Sequence, residues 1–300
     1  MKLGVLPIIY VEHRVNRVNK KRTASFTGYD DFPHRFDVPY IDDGLNGHKF
    51  DIYWAREENR NNICVIDIHG GAYILGERRD NYLFARKFVE QGFDFIAVDY
   101  LPTTNGRSAK DILDDCYKCI EYILNRKEEY HLENSRFVLT GESAGGHLAL
   151  VLAEANDDLE YAKELGYDLS FVDFEVVLVN CPVFDYENIG RNLLGKRALK
   201  KLFGTEYNNV KLNRLVSPKV HFDSLKTPLF LSTCKQDFIG DQSKLLKQYM
   251  DNYKYPQKYV YIDSNRKKID HVHNVLRPDL EESRQVNTEM FDFIYEIMKK

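Results

Sequence analysis

Ser143 lies in the run Gly141-Glu142-Ser143-Ala144-Gly145-Gly146, a G-x-S-x-G pattern. The apolar stretch Arg136 to Thr140 precedes it, and the apolar, helix-compatible run Ala144 to Ala155 follows. A serine between a strand and a helix reads as a sharp turn that lifts its hydroxyl clear of a sheet. Such a turn strains the serine backbone, and Gly141 and Gly145 have no Cβ to collide with neighbouring chain. A neutral hydroxyl is a weak nucleophile. It needs a base, a group that orients the base, and donors for a developing oxyanion.

The chain offers a candidate for each. His69-Gly70-Gly71-Ala72 directly follows the strand-like Ile63 to Ile68, so the amides of Gly70 and Gly71, with that of Ala144, are the candidate oxyanion donors. His69 reads as a brace for that loop. Asp237 and Asp241 both follow the strand-like Pro228 to Thr233, at the end of a sheet where α/β proteins place their sites. Asp237 is the better orienting acid, being nearer the strand and followed by Phe238 and Ile239. Asp241 reads as the N-cap of the helix-like run Gln242 to Tyr253. The base comes from Asp270-His271-Val272-His273, after the strand-like Lys258 to Ile262. His271 is favoured over His273, and would take the Ser143 proton while Asp237 holds its tautomer.

At these residues the chain resembles the hormone-sensitive-lipase-like branch of the α/β-hydrolase esterases, of the bacterial carboxylesterase and acetyl esterase type. The resemblance rests on His69-Gly70-Gly71, Gly141 to Gly146, Asp237 and His271, and spans roughly residues 50 to 300. The order Ser143, Asp237, His271 is the chain order of that fold. Three positions depart from the branch: Glu142 stands where aspartate is common, Ala72 where a third glycine is common, and Tyr100-Leu101-Pro102-Thr103-Thr104 where Tyr-Arg-Leu-Ala-Pro-Glu is common. Many relatives carry an aromatic two residues after the histidine base. The resemblance thus implies His271 as base and His273 as pocket lining, with Ala72, Tyr73 and Phe184 as further lining. Ser143-Ala144-Gly145-Gly146-His147-Leu148 is equally similar to the elbow of arylformamidases.

These motifs must be held by a scaffold. Strand-like and helix-like runs alternate from about residue 34, starting with a pair His34 to Asp42 and Phe50 to Arg56. The alternation implies an α/β fold with a mostly parallel central sheet and helices on both faces, in a single domain over residues 1–300. Two stretches fall outside it, about 1–33 and 184–222. The resemblance implies a small helical cap there, with Phe184, Tyr186, Leu193, Leu194, Leu202, Phe203 and Tyr207 covering an acyl group or filling the cap's own core.

The sequence has 300 residues and is 43% hydrophobic, enough for a core, and its net charge of −4 gives nothing that points to a polyanion partner. The basic run His13 to Arg22 reads as a solvated helix face. No secretory signal and no membrane span are recognisable. Five cysteines, an odd number, point to reduced buried thiols and a cytoplasmic protein. Cys116 and Cys119 share one face of a helix-like run and read as core. The expected function is a serine carboxylesterase for small, short-acyl, uncharged esters, working through an acyl-enzyme with no metal or organic cofactor. The partner is a small-molecule ester, with no nucleic acid and no membrane span; a homodimer is compatible with the sequence. The alternatives are an arylformamidase-like amidase and a catalytically inactive small-ligand-binding homologue.

Overall fold

Eight strands form one sheet in the computed structural model, which describes residues 31–103, 106–168, 173–188 and 208–299. They are β1 (His34–Pro39), β2 (Lys49–Tyr53), β3 (Ile63–Ile68), β4 (Asp94–Val98), β5 (Arg136–Glu142), β6 (Phe174–Asn180), β7 (Leu229–Cys234) and β8 (Gln257–Ile262). Their spatial order is β1-β2-β4-β3-β5-β6-β7-β8. The pairs β1–β2 and β2–β4 are antiparallel and the other five are parallel. The expected initial hairpin and parallel sheet are therefore both present.

The strand sequences are continuously apolar because both faces of the sheet are covered. Along β3, Cys64, Ile66 and Ile68 face one core while Ile63 and Val65 face the other. The helices are α1 (Tyr82–Glu90), α2 (Ala109–Leu124), α3 (Ala144–Asp157), α4 (Leu159–Leu165), α5 (Val210–Leu215), α6 (Pro218–His221), α7 (Gly240–Met250), α8 (His273–Leu276) and α9 (Glu281–Met298). Helices α2, α3 and α7 close the first core through Ile112, Ile120, Leu148, Leu152 and Leu246. Helices α1 and α9 close the second through Phe84, Phe88, Val286, Met290 and Ile294. All five cysteines are buried and unpaired, and Cys116 and Cys119 lie in the first core as expected.

Two expectations need comment. Helix α7 begins at Gly240 with Ile239 in the N-cap position, so Asp241 is not a cap. It sits in the first turn, where its negative charge suits the helix dipole, and pairs with Lys244 at 3.1 Å. The basic run His13 to Arg22, the cap stretch up to residue 30, and Leu193, Leu194, Leu202, Phe203 and Tyr207 lie outside the described residues. Among the described residues no helix is long and apolar enough to cross a membrane.

The tightest approach in the fold joins α3 to the end of β3. A methyl on Gly145 would lie 1.9 Å from the Ile68 carbonyl oxygen and 2.6 Å from that of His69. Backbone cannot retreat as a flexible side chain can. Gly145→Ala is expected to cost about 3 kcal/mol or more and lower the thermal midpoint by about 6 °C or more. An unchanged midpoint by circular dichroism would contradict that contact.

Candidate active site

Ser143 occupies the turn between β5 and α3 with φ 56° and ψ −116°, a conformation that costs a non-glycine residue roughly 1–3 kcal/mol. The backbone around it is fixed from both sides. Its N–H donates to the Asn180 carbonyl at 2.9 Å, and its carbonyl accepts from the amides of His147 and Val183 at 3.2 Å. Gly141 is needed as well, since a Cβ there would meet the Gly145 carbonyl oxygen at 2.4 Å.

The three residues named from the sequence meet at this turn. His271 Nε2 is 2.9 Å from Ser143 Oγ, and His271 Nδ1 is 2.6 Å from Asp237 Oδ1. An ionised carboxylate only accepts, so Nδ1–H donates to Asp237 and Nε2 is left to accept from the serine hydroxyl. The side chain of Asp237, three residues past the end of β7, is wholly buried. The Ile239 amide donates to its Oδ1 and the Thr233 hydroxyl to its Oδ2, both at 3.0 Å. Burial opposes charge on Asp237, but the charge and hydrogen bond of His271, with the Ile239 amide, outweigh it and hold the carboxyl below its ordinary value. His273, the rejected alternative, points elsewhere.

The oxyanion side differs from expectation at one residue. The Gly70 amide is not free: it donates to Glu142 Oε1 at 2.6 Å. The amides of Gly71 and Ala72 donate to no protein atom among the described residues. Ala144 is the first residue of α3, where a helix leaves its amides without intrahelical acceptors. The free donors of this loop are therefore one residue further along than the sequence suggested. Gly71, Ala72 and Tyr73 have φ of 117°, 54° and 66°, so three successive residues turn the chain in the left-handed sense. A Cβ on Gly71 would sit 1.9 Å from the Leu75 carbonyl oxygen.

Beneath that loop runs a polar network that the sequence did not reveal. Glu142 Oε2 accepts from Asn81 Nδ2 at 2.9 Å, and the same amide nitrogen donates to Asp67 Oδ2 at 2.9 Å. Burial and the adjacent Asp67 carboxylate push Glu142 up to about 8, while burial pushes Asp67 up to about 7. His69 braces the loop as expected. Its Nδ1 is 2.6 Å from the Gly70 carbonyl oxygen, and its ring stacks on Tyr100 at 4.2 Å. Burial opposes its charge, but Asp99, the Gly70 carbonyl and Glu142 raise it to about 9. Its Nε2 lies 3.4 Å from Asp99 Oδ1, a charge contact too long and poorly aimed to count as a hydrogen bond. Asp99 in turn pairs with buried Arg78, which also binds Asp51 at 2.8 Å and Asp37. The partners of Arg78 lie 21, 27 and 41 residues away in sequence, so no local spacing could announce them.

Three expected lining residues are core instead. Tyr73 is buried, with its hydroxyl 3.1 Å from His147 Nδ1 and its ring edge-on to Tyr186. Phe184 is fully buried, packed edge-on against Phe222 and Tyr249. His273 is buried behind the sheet, its Nδ1 2.8 Å from the Ser283 hydroxyl. Burial, then the nearby Arg277 charge, pulls it down to about 4, so it stays neutral. Ala72, partly exposed, remains at the loop. His147, four residues after Ser143, bonds the Val216 carbonyl through Nε2 at 2.6 Å and anchors the chain entering α6. Among the described residues, one group could converge on a metal ion: Cys181, Asp237 and His271, with ligand atoms within 4.8 Å of one another. Their closeness is that of a hydrogen-bonded pair beside a buried thiol. Burial pushes the Cys181 thiol well up, whereas metal binding needs the thiolate.

This sheet, with a serine at the sharp turn after its fifth strand and Asp237 and His271 after its seventh and eighth, defines an α/β-hydrolase. The chain belongs to the BD-FAE family, whose model matches residues 50–250. It is similar to the solved esterase B from Lactobacillus rhamnosis bound to an inhibitor, with a TM-score of 0.84 and 21% identity, covering 98% of this chain and 96% of that one. A bacterial heroin esterase superposes with a TM-score of 0.70 at 18% identity, over 99% of this chain and 94% of that one. Among curated proteins, a probable isoprenylcysteine alpha-carbonyl methylesterase of Oryza sativa subsp. japonica is 26% identical over 102 residues, 34% of this chain. Lipase 2 of Moraxella sp. is 26% identical over 101 residues, 33% of this chain. The aligned segment spans only about a quarter of those relatives, 24% and 23% of their lengths.

Two outcomes follow from the buried groups. The folded protein holds the Glu142 proton to higher pH than an unfolded chain, in which a glutamate titrates at about 4.3. Its stabilising contribution is present below that value and is lost as pH rises through about 8. Glu142→Gln keeps an acceptor for Gly70 and removes this titration. Its urea midpoint is expected to vary less than that of the wild type between about pH 5 and 8. For His273→Gln the expected result is a lower thermal midpoint with unchanged relative rates across an ester series; a shifted substrate preference would return His273 to the pocket wall.

Proposed function

We propose that the protein is a serine carboxylesterase acting on small, uncharged esters of short acyl groups. The observation that carries this reading is the continuous hydrogen-bond chain Ser143–His271–Asp237, with steps of 2.9 and 2.6 Å. Ser143 Oγ attacks the ester carbonyl carbon as its proton passes to His271 Nε2. The amides of Gly71, Ala72 and Ala144 take the oxyanion, because they are the loop and helix-end donors without an internal acceptor. The carbon–oxygen bond to the alcohol then breaks, and His271 returns the proton to the leaving oxygen. A water molecule, deprotonated by His271, attacks the acyl-enzyme and releases the acid and Ser143. Asp237 holds the imidazole tautomer and offsets the imidazolium charge, for which its depressed pKa suits it. His69 is too deeply buried and too fully engaged with Gly70 and Tyr100 to shuttle protons.

The test is hydrolysis of a nitrophenyl ester series from acetate to dodecanoate. Rates peaking at the short chains are expected. Ser143→Ala should lower kcat by about 10⁴-fold or more, and Asp237→Asn by about 10⁴-fold by disturbing the tautomer. Full activity in Ser143→Ala would sink the reading. An inert wild type across the series would favour formamides as substrates.

A further inference from the structure

Phe238 directly follows Asp237, yet the two residues live in opposite environments. The Asp237 side chain is wholly buried, whereas Phe238 is 66% exposed, the most exposed large apolar residue among those described. The Phe238 ring does not drift free. Its centroid lies 4.3 Å from that of the His271 ring, with the planes inclined at 53°. The position is fixed from below, because the Ile239 amide bonds Asp237 and the Gly240 amide bonds the Asp237 carbonyl at 3.1 Å. A large apolar ring held beside a proton-transferring imidazole presents its free face to whatever binds next to His271.

The chemistry of the step says which part of the substrate that is. His271 Nε2 must reach the leaving oxygen to return the proton, so the alcohol half of the ester departs along the His271 side of the scissile bond. The acyl half stays on Ser143. Beyond Phe238 the surface continues into a hollow of about 100 Å³ that shares Asp237 and Phe238 with the site and is bordered by Tyr261, Lys235 and Lys244. Tyr261 is 43% exposed there and offers a second aromatic wall. The two lysines are already neutralised, Lys235 by Asp263 at 2.8 Å and Lys244 by Asp241 at 3.1 Å. The hollow is lined mainly by polar groups, so the apolar contact it offers comes from the Phe238 and Tyr261 rings, with both lysines already paired.

We propose that Phe238 is a specificity-determining residue for the leaving group and that it selects esters whose alcohol carries an uncharged aromatic ring. This rests on the serine esterase reading above. The ring of such an alcohol packs against Phe238 as the tetrahedral intermediate collapses, and extends toward Tyr261. Contact formed there aids the reaction only with substrates that carry the ring, since offset or edge-on aromatic pairs add to simple burial.

The experiment holds the acyl group constant and varies the alcohol. Benzyl acetate and ethyl acetate are both esters of alkyl alcohols, so their intrinsic reactivities are close. The kcat/KM ratio of benzyl to ethyl acetate is measured for the wild type, Phe238→Ala, Phe238→Leu and Phe238→Tyr. Ethyl acetate and ethyl butanoate, run in parallel, report the acyl side. The expected result is a ratio about tenfold lower in Phe238→Ala, intermediate in Phe238→Leu and restored in Phe238→Tyr, with the ethyl acetate to ethyl butanoate ratio unchanged. An unchanged benzyl to ethyl ratio overturns the proposal and leaves the esterase reading intact. So does an equal loss on both acetates with a common shift in pH profile, which would make Phe238 a mere shield of His271. A wild type that hydrolyses none of the esters overturns the esterase reading itself. Because Phe238 is exposed, thermal midpoints of the variants should match the wild type and separate these outcomes from misfolding.

Discussion

The site depends on one backbone contact, the approach of the first turn of α3 to the carboxyl end of β3. Gly145 allows it, with a virtual Cβ only 1.9 Å from the Ile68 carbonyl oxygen. This contact brings two loops far apart in sequence to the same point, the turn at Ser143 and the turn at Gly71. A wider separation would leave the hydroxyl of one and the amides of the other unable to act on a single carbonyl group. The strain at Ser143 belongs to the same constraint. Its unusual φ and ψ persist because Asn180, His147 and Val183 hold the backbone on both sides.

A second layer of polar contacts makes the loop rigid. Glu142 occupies the Gly70 amide, Asn81 ties Glu142 to Asp67, and the chain His69–Asp99–Arg78 anchors the same loop to β2 and the β1 region. Several of these groups are ionisable and buried, an arrangement that contributes little to stability by itself. Its effect is positional. With Gly70 turned inward, the next two amides, of Gly71 and Ala72, are left without internal acceptors. Glu142, at a position where related esterases commonly carry the shorter aspartate, is long enough to reach both Gly70 and Asn81.

The sequence made the fold and the Ser143–His271–Asp237 chain legible for physical reasons. Strand β3 and the elbow are local: glycine spacing and apolar runs record a steric demand that falls within six residues. The acid was separable from Asp241 by its distance from β7, and the geometry agrees. What was not legible depended on direction. Tyr73, Phe184 and His273 are aromatic or polar residues close in sequence to the site, and proximity alone cannot say which way a side chain points. All three face inward, toward His147, Tyr249 and Ser283 respectively. The same limit applied to the loop amides. Two adjacent glycines identify a tight turn, but only the partner 72 residues away, Glu142, decides which amide is left over. The cap expectation touches residues 31–33, 184–188 and 208–222 among those described, where Phe184, Tyr186, Val216 and Phe222 pack into the core of the fold.

Ser143 and His271 differ in how firmly the sheet holds the segments that carry them. Ser143 follows β5, which has strands on both sides, β3 and β6. His271 follows β8, which lies at the edge and pairs only with β7 among the described strands. Edges of sheets open at lower free energy than their centres. Opening of this edge would loosen the loop that leads from β8 to His271, while the turn at Ser143, between β3 and β6, stays folded. Heat or mild denaturant would then silence the protein before its spectroscopic signature of folding changes. Loss of activity and global unfolding would then begin in different parts of the same sheet, and a stabilising change in the β3–β5 centre need not prolong activity at all.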